Sequence, residues 1–130
     1  MSIEISVSVG EFLDKLTILQ IKADRISEPG KLANIRRELE SLAGVWRQTE
    51  YAAVAGMEDA IQDLRLINEQ LWDIEDAIRE KEARQEFDND FIELARSVYI
   101  TNDRRAAVKR GINEMAGSGL MEEKSYRDYQ

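Results

Sequence analysis

The chain has 130 residues, 43% hydrophobic and 34% charged, with one proline and a formal net charge of −8, a composition that suits a single helix-rich globular domain and not a disordered chain. The acidic excess argues against nucleic acid as a partner, because affinity there comes from neutralising phosphates with Lys and Arg. The sequence has no Cys and no His, which excludes disulfides, thiolate nucleophiles, histidine-liganded metal and Ser-His-Asp triads; any chemistry falls to carboxylates, Lys, Arg or Tyr, and no cofactor is expected.

The first residues, MSIEISVSV, lack a basic start and an uninterrupted apolar run, and no stretch approaches the roughly 18 apolar residues of a membrane span. A cytoplasmic protein without a membrane span is therefore expected. Ile3, Ile5 and Val7 alternate with polar residues, a period-two pattern that predicts a short strand or extended arm. Such an arm has three seats open to it: the segment near Leu120, its own copy in a dimer, or the helices beside it.

Ser8-Val9-Gly10-Glu11 has the form of a capping box and predicts the start of a first helix, running to about Ser27. Its main stripe is Val9, Phe12, Leu16, Leu19, Ala23 and Ile26, widened by Leu13, Ile18 and Ile21. Glu28-Pro29-Gly30 breaks the chain. A second helix over 31–50 carries Leu32, Ile35, Leu39, Leu42 and Trp46 at alternating spacings of three and four, as in coiled-coil packing. After a connection between Ala52 and Gly56, a third helix over 57–84 presents Met57, Ile61, Leu64, Leu71 and Ile78, with Asn68 and Glu75 set in the same stripe. Phe87-Asp88-Asn89-Asp90 predicts a turn and N-cap, and a fourth helix over 90–116 follows, ended by Gly117-Ser118-Gly119. Residues 117–130 are expected to form a tail, leaving 1–116 as one helical domain.

The fourth helix contains the most informative anomaly. Phe91, Leu94, Ala95, Val98, Ile112 and Ala116 define one stripe at 100° per residue, and Asn102, Arg105 and Lys109 fall inside it. An unpaired buried charge costs several kcal/mol, so these groups must be paired, hydrated in a cleft or bound to a ligand. If helices three and four form an antiparallel hairpin, Glu75 lies near residues 99–102 and Asn68 near 106–109, each within about a turn of Arg105. Asn68, Glu75, Asn102, Arg105 and Lys109 are then expected to share one internal layer. One reading makes it an ion-pair network that sets helix register. The other has Arg105 and Lys109, joined by Lys15 or Lys22 from the first helix, converge on a small anion, with Asn102 and Glu75 orienting it. Glu11 with Asp14, and Asp73 with Asp76, stand at the spacing of a magnesium pair, but so acidic a chain produces such pairs by chance, and solvated helix faces are expected. Trp46 and Trp72 read as packing residues.

The stretches VGEFLDKLTILQIKADRI, KLANIRRELESL, LWDIEDAIREKE and FIELARSVYITNDRRAAVKRGINEMAGS, with EEKSY beyond, resemble a bacterial family catalogued as a domain of unknown function. The resemblance runs from about Ile3 to Tyr126. It implies short stand-alone proteins or segments found with glycosyltransferases of surface-polysaccharide pathways, and no activity, cofactor or catalytic set. The chain is also similar in size to all-helical chorismate mutases but lacks their first-helix arginine pattern. Glu11-x-x-Asp14 has no E-x-x-E partner helix before it, unlike the all-helical nucleoside-triphosphate pyrophosphohydrolases.

The sequence thus predicts an all-α fold, a four-helix up-and-down bundle or two long helical hairpins, with an extended N-terminal arm. The expected function is a non-catalytic interaction or accessory module whose partner is another protein or a second copy in a homodimer. The alternative is a small-anion binder or enzyme built on Arg105 and Lys109.

Overall fold

The computed structural model describes residues 1–117, which fold as an all-helical bundle: α1 (Val9–Arg25), α2 (Pro29–Arg47), a 3-10 turn (Glu50–Ala53), α3 (Met57–Ala83) and α4 (Asn89–Ala116). Each boundary has a local cause. The Ser8 hydroxyl accepts from the Glu11 amide at 3.1 Å, which starts α1. The Glu28 carboxylate accepts from the Gly30 and Lys31 amides, and Pro29 at the first helical position lacks the N–H that a helix start leaves unbonded. Proline also disfavours helical geometry in the residue before it, so α1 ends at Arg25 and α2 starts at Pro29, each boundary two residues earlier than the periodicity indicates. The expected connection after Ala52 begins earlier as well, with α2 ending at Arg47 and the 3-10 turn following.

α1 is the centre of the assembly, packed against α2, α3 and α4, while α3 and α4 form the long antiparallel hairpin. The Arg104 guanidinium donates to the Gln70 amide oxygen across that hairpin, which is the register expected of two antiparallel helices joined by the turn before Asn89. Leu13, Leu16, Met57, Ile61, Leu64 and Ile112 form the buried core cluster, with Val9, Phe12, Leu39, Leu42 and Trp46 packed on it. Removing each fully buried aliphatic side chain from water contributes about 1.5–3 kcal/mol. α2 contains no buried residue. Its apolar stripe lies half-buried along α1, with Trp46 stacked on Phe12 at 6.2 Å between ring centroids, so it forms an outer layer and not an equal member of a four-way core.

Of the two forms expected for the first residues, a strand or an arm, the strand does not form: residues 1–7 adopt neither helix nor strand. A strand needs a hydrogen-bonded neighbour, and no described residue belongs to a strand. Leu120 and the expected tail over 118–130 lie outside the described residues.

The α3–α4 turn is set by Gln85, which takes φ 56°, with the Glu86 amide donating to the Lys81 carbonyl at 3.0 Å. Asp88 caps α4 by accepting from the Phe91 amide, and Lys81 donates to the Asp88 carboxylate at 2.9 Å. The Lys81 ammonium and then the Phe91 amide hold the Asp88 carboxyl below the usual carboxylate range.

Two predictions follow from this backbone. An added Cβ at Gly10 would stand 2.6 Å from the Lys109 carbonyl oxygen of α4. Gly10→Ala should therefore lower the unfolding free energy in urea by at least about 1 kcal/mol, despite alanine's higher helix propensity. The left-handed Gln85 sits where glycine carries no steric penalty, so Gln85→Gly should raise stability by about 1 kcal/mol in the same assay.

Candidate functional site

α1 is buried on two sides. Phe12 and Lys15 reach α2, while Gly10, Leu13, Asp14, Thr17 and Ile21 are buried and recur at helical spacings of three and four, the repeat of a single helix face. Small and polar residues on that face let α4 come close. The Asn113 side-chain oxygen accepts from the Gly10 amide at 2.7 Å, satisfying one of the N–H groups a helix start leaves unbonded. That approach brings Asp14, only 3% exposed, against the polar band of α4.

Asp14 is the hub of the band. Arg105 donates its Nε to Asp14 Oδ1 at 2.8 Å and a terminal nitrogen to Oδ2, a bidentate pair. Asn68 donates its side-chain nitrogen to Asp14 Oδ1 and to the Thr17 hydroxyl, both at 3.0 Å. Lys109 Nζ lies 3.8 Å from Asp14 Oδ2 and donates to Glu11 at 2.7 Å. Glu11 therefore turns towards α4, and the predicted capping box is formed only by its serine half. Arg105 also donates to Asn102 at 3.4 Å. Two cations from α4 thus meet two carboxylates from α1, and no buried side-chain nitrogen or oxygen among the described residues lacks a partner.

Four of the five residues expected in the layer come together: Asn68, Asn102, Arg105 and Lys109. Lys15 does not join them. One position after Asp14 is about 100° around the helix, so Lys15 faces α2 and pairs with Glu38 at 3.0 Å on an exposed surface. Lys22 makes no ion pair among the described residues. Glu75 is an exposed residue beside Arg79, at 4.0 Å. It takes no part in the hydrogen bonds of the layer and pairs within its own helix instead. The magnesium reading of Glu11 and Asp14 gives way to Lys109 and Arg105, which occupy those carboxylates. Asp73 instead takes Arg25, whose guanidinium also lies 5.9 Å from the Trp72 ring centroid. Among the described residues no group of three or more acidic side chains is placed to hold a metal ion.

Beside the network opens a cleft of about 340 Å³, lined by Ile18 of α1, Asn68, Leu71, Trp72, Glu75, Asp76 and Arg79 of α3, and Asn102 and Arg105 of α4. Glu75 returns to the site here, as wall and not as layer. The side chain of Asp14 is 4% exposed and that of Arg105 29%, so the network meets the cleft through Arg105, beside Asn68 and Asn102, and not through Asp14.

Fold and site together define an all-helical protein with a charge-paired core layer and an adjoining cleft. A family model described as "Family of unknown function (DUF6165)" matches residues 1–129, and the chain belongs to that family. No curated protein and no solved structure matches it.

The network orders the cost of its own disruption. Asp14→Ala removes the buried carboxylate that Arg105 pairs with bidentately, and should lower the unfolding free energy by about 3–5 kcal/mol. Arg105→Met leaves Asp14 with Asn68 and Lys109 and should cost about 1–3 kcal/mol, and Lys15→Met should stay within about 0.5 kcal/mol of the parent. Urea denaturation of the three variants checks the order; an Asp14→Ala protein as stable as Lys15→Met would remove Asp14 from the centre.

Proposed function

We propose that the protein is a non-catalytic interaction module that seats an amphipathic helix of a partner protein in the cleft beside α1, between α3 and α4. The observation that carries this reading is that no residue from Glu69 to Ile100 is buried, although the segment holds Leu71, Trp72, Ile74, Ile78, Phe91, Leu94 and Val98. Folding usually covers such side chains, each worth about 1.5–3 kcal/mol when buried. α1, with 17 residues against 27 and 28 in α3 and α4, covers about 25 Å of a hairpin about 40 Å long. α1 already packs as an amphipathic helix against both α3 and α4, so a second helix laid in the cleft beside it meets the same kind of surface. Its apolar face would rest on Leu71 and Trp72, and a basic residue would find Glu75 and Asp76. An accessory role in surface-glycan assembly, expected from the family resemblance, is part of the same proposal.

The pairing of Arg105 and Lys109 with Asp14 and Glu11 supports the non-catalytic reading, because their charge is already balanced inside the protein. A second reading, a small-anion site or an enzyme, rests on Arg105, Asn102 and Asn68 all lining the cleft.

A paired experiment separates them. Affinity capture is compared for the parent chain, Glu75→Arg with Asp76→Arg, and Glu40→Arg on the exposed face of α2. A protein retained by the parent and Glu40→Arg but lost from the cleft variant is the expected result. Thermal melts in phosphate, pyrophosphate and citrate, matched for ionic strength, are expected to move by less than about 1 °C. A saturable rise of several degrees that Arg105→Met abolishes would overturn the module in favour of the anion site.

A further inference from the structure

At the opposite end of α1 from the cleft, the N-terminal arm carries a second unsatisfied surface. Ile3 is 89% exposed, Ile5 78% and Val7 42%. Residues at i, i+2 and i+4 of an extended chain lie on one face, so an extended arm presents these three as a single apolar edge. Residues 1–7 form no hydrogen bond with other described residues, which leaves their backbone groups open as well. The root of the arm, Val7, lines a small groove of about 140 Å³ with Val9, Phe12, Val45, Trp46 and Tyr51, and Val45 is half-exposed. Arm and groove are thus one continuous apolar strip.

We infer that this strip is a homodimer interface in which the arms of two copies pair as an antiparallel β-ribbon centred on Ile5. The sequence is self-complementary about that position. Ile3 then stands opposite Val7 of the second copy and Ile5 opposite its own counterpart. On the other face Glu4 stands opposite Ser6, so the two Glu4 carboxylates are kept from direct opposition, which would be destabilising. A two-fold axis through Ile5 makes the interface isologous and closed. A two-stranded ribbon is marginal in water without an apolar surface beneath it, and the Phe12, Val45, Trp46 and Tyr51 groove of each copy supplies that surface. Backbone pairing also satisfies the open N–H and C=O groups of the arm, as strand addition does at sheet edges.

The absence of cysteine makes the register directly testable on the full chain. In the ribbon, position 5 faces itself at a Cα separation of about 4.5–5.5 Å, within disulfide range, whereas position 3 lies about 13 Å from its copy. Under mild oxidation Ile5→Cys should give several-fold more disulfide-linked dimer than Ile3→Cys. Sedimentation equilibrium of the parent chain should report a dimer, and Ile5→Asp, which alters an exposed side chain, should weaken it at least tenfold with an unchanged circular dichroism spectrum. A monomeric parent chain overturns the inference, as does equal cross-linking at positions 3 and 5 or an Ile5→Asp dimer of undiminished affinity. None of these results touches the cleft, whose capture and melting experiments stand or fall separately.

Discussion

The structure turns on the Asp14 carboxylate. A carboxylate buried to this depth is strongly unfavourable unless its lone pairs are all engaged, and here Arg105, Asn68 and Lys109 engage them from two helices. Those partners constrain the fold in turn. α1 must lie in the trough between α3 and α4 at one height, because sliding it by a turn, about 5.4 Å, would separate Asp14 from its donors and strand charges of both signs. Apolar stripes alone tolerate such slips, since one aliphatic side chain replaces another at small cost. The layer therefore supplies alignment more than net stability, as buried polar residues do in coiled coils.

The same layer requires close approach. Arg105 reaches Asp14 bidentately and Asn113 reaches the Gly10 amide only because α4 passes over a helix face made of Gly10, Asp14 and Thr17. A larger side chain at Gly10 meets the Lys109 backbone, a contact that cannot yield as a flexible side chain would. Glycine, buried carboxylate and arginine thus act as one unit drawn from the two ends of the chain.

Beyond this clamp the molecule changes character. α1 ends at Arg25, which reaches Asp73, and the hairpin continues as two helices that cover only each other. Two helices bury a narrow seam, so the outer parts of their apolar side chains stay in water. Such a segment has fewer buried contacts to hold it and is expected to open locally at lower free energy than the three-helix end. It is also the part of the surface with most to gain from a partner, and this links the geometry of the core to the proposed role. The exposed arm at the other end of α1 repeats the theme, with Ile3 and Ile5 left in water.

Helix number, the Pro29 break, the capped turn before α4 and the α3–α4 register were all legible from residue order, because they depend on neighbours within a few positions, on apolar periodicity or on where the hairpin turns. The anomaly in α4 was equally legible, since Asn102, Arg105 and Lys109 contradict their own stripe. Their partner Asp14 was not. Three residues after Glu11 and at the edge of the main α1 stripe, it reads as one half of a solvated acidic pair. The signal that marks it is a second row, Gly10, Asp14, Thr17 and Ile21, whose mixed chemistry hides a buried face. Lys15 fails for the complementary reason, since proximity in sequence to the layer is about 100° of rotation away from it. Local order therefore determined which segments are helical, where they stop and which positions need a partner. Only the tertiary structure decided that the partner of Arg105 lies 91 residues away, because burial of a charge is a property of the space around it and that space is made by three helices at once.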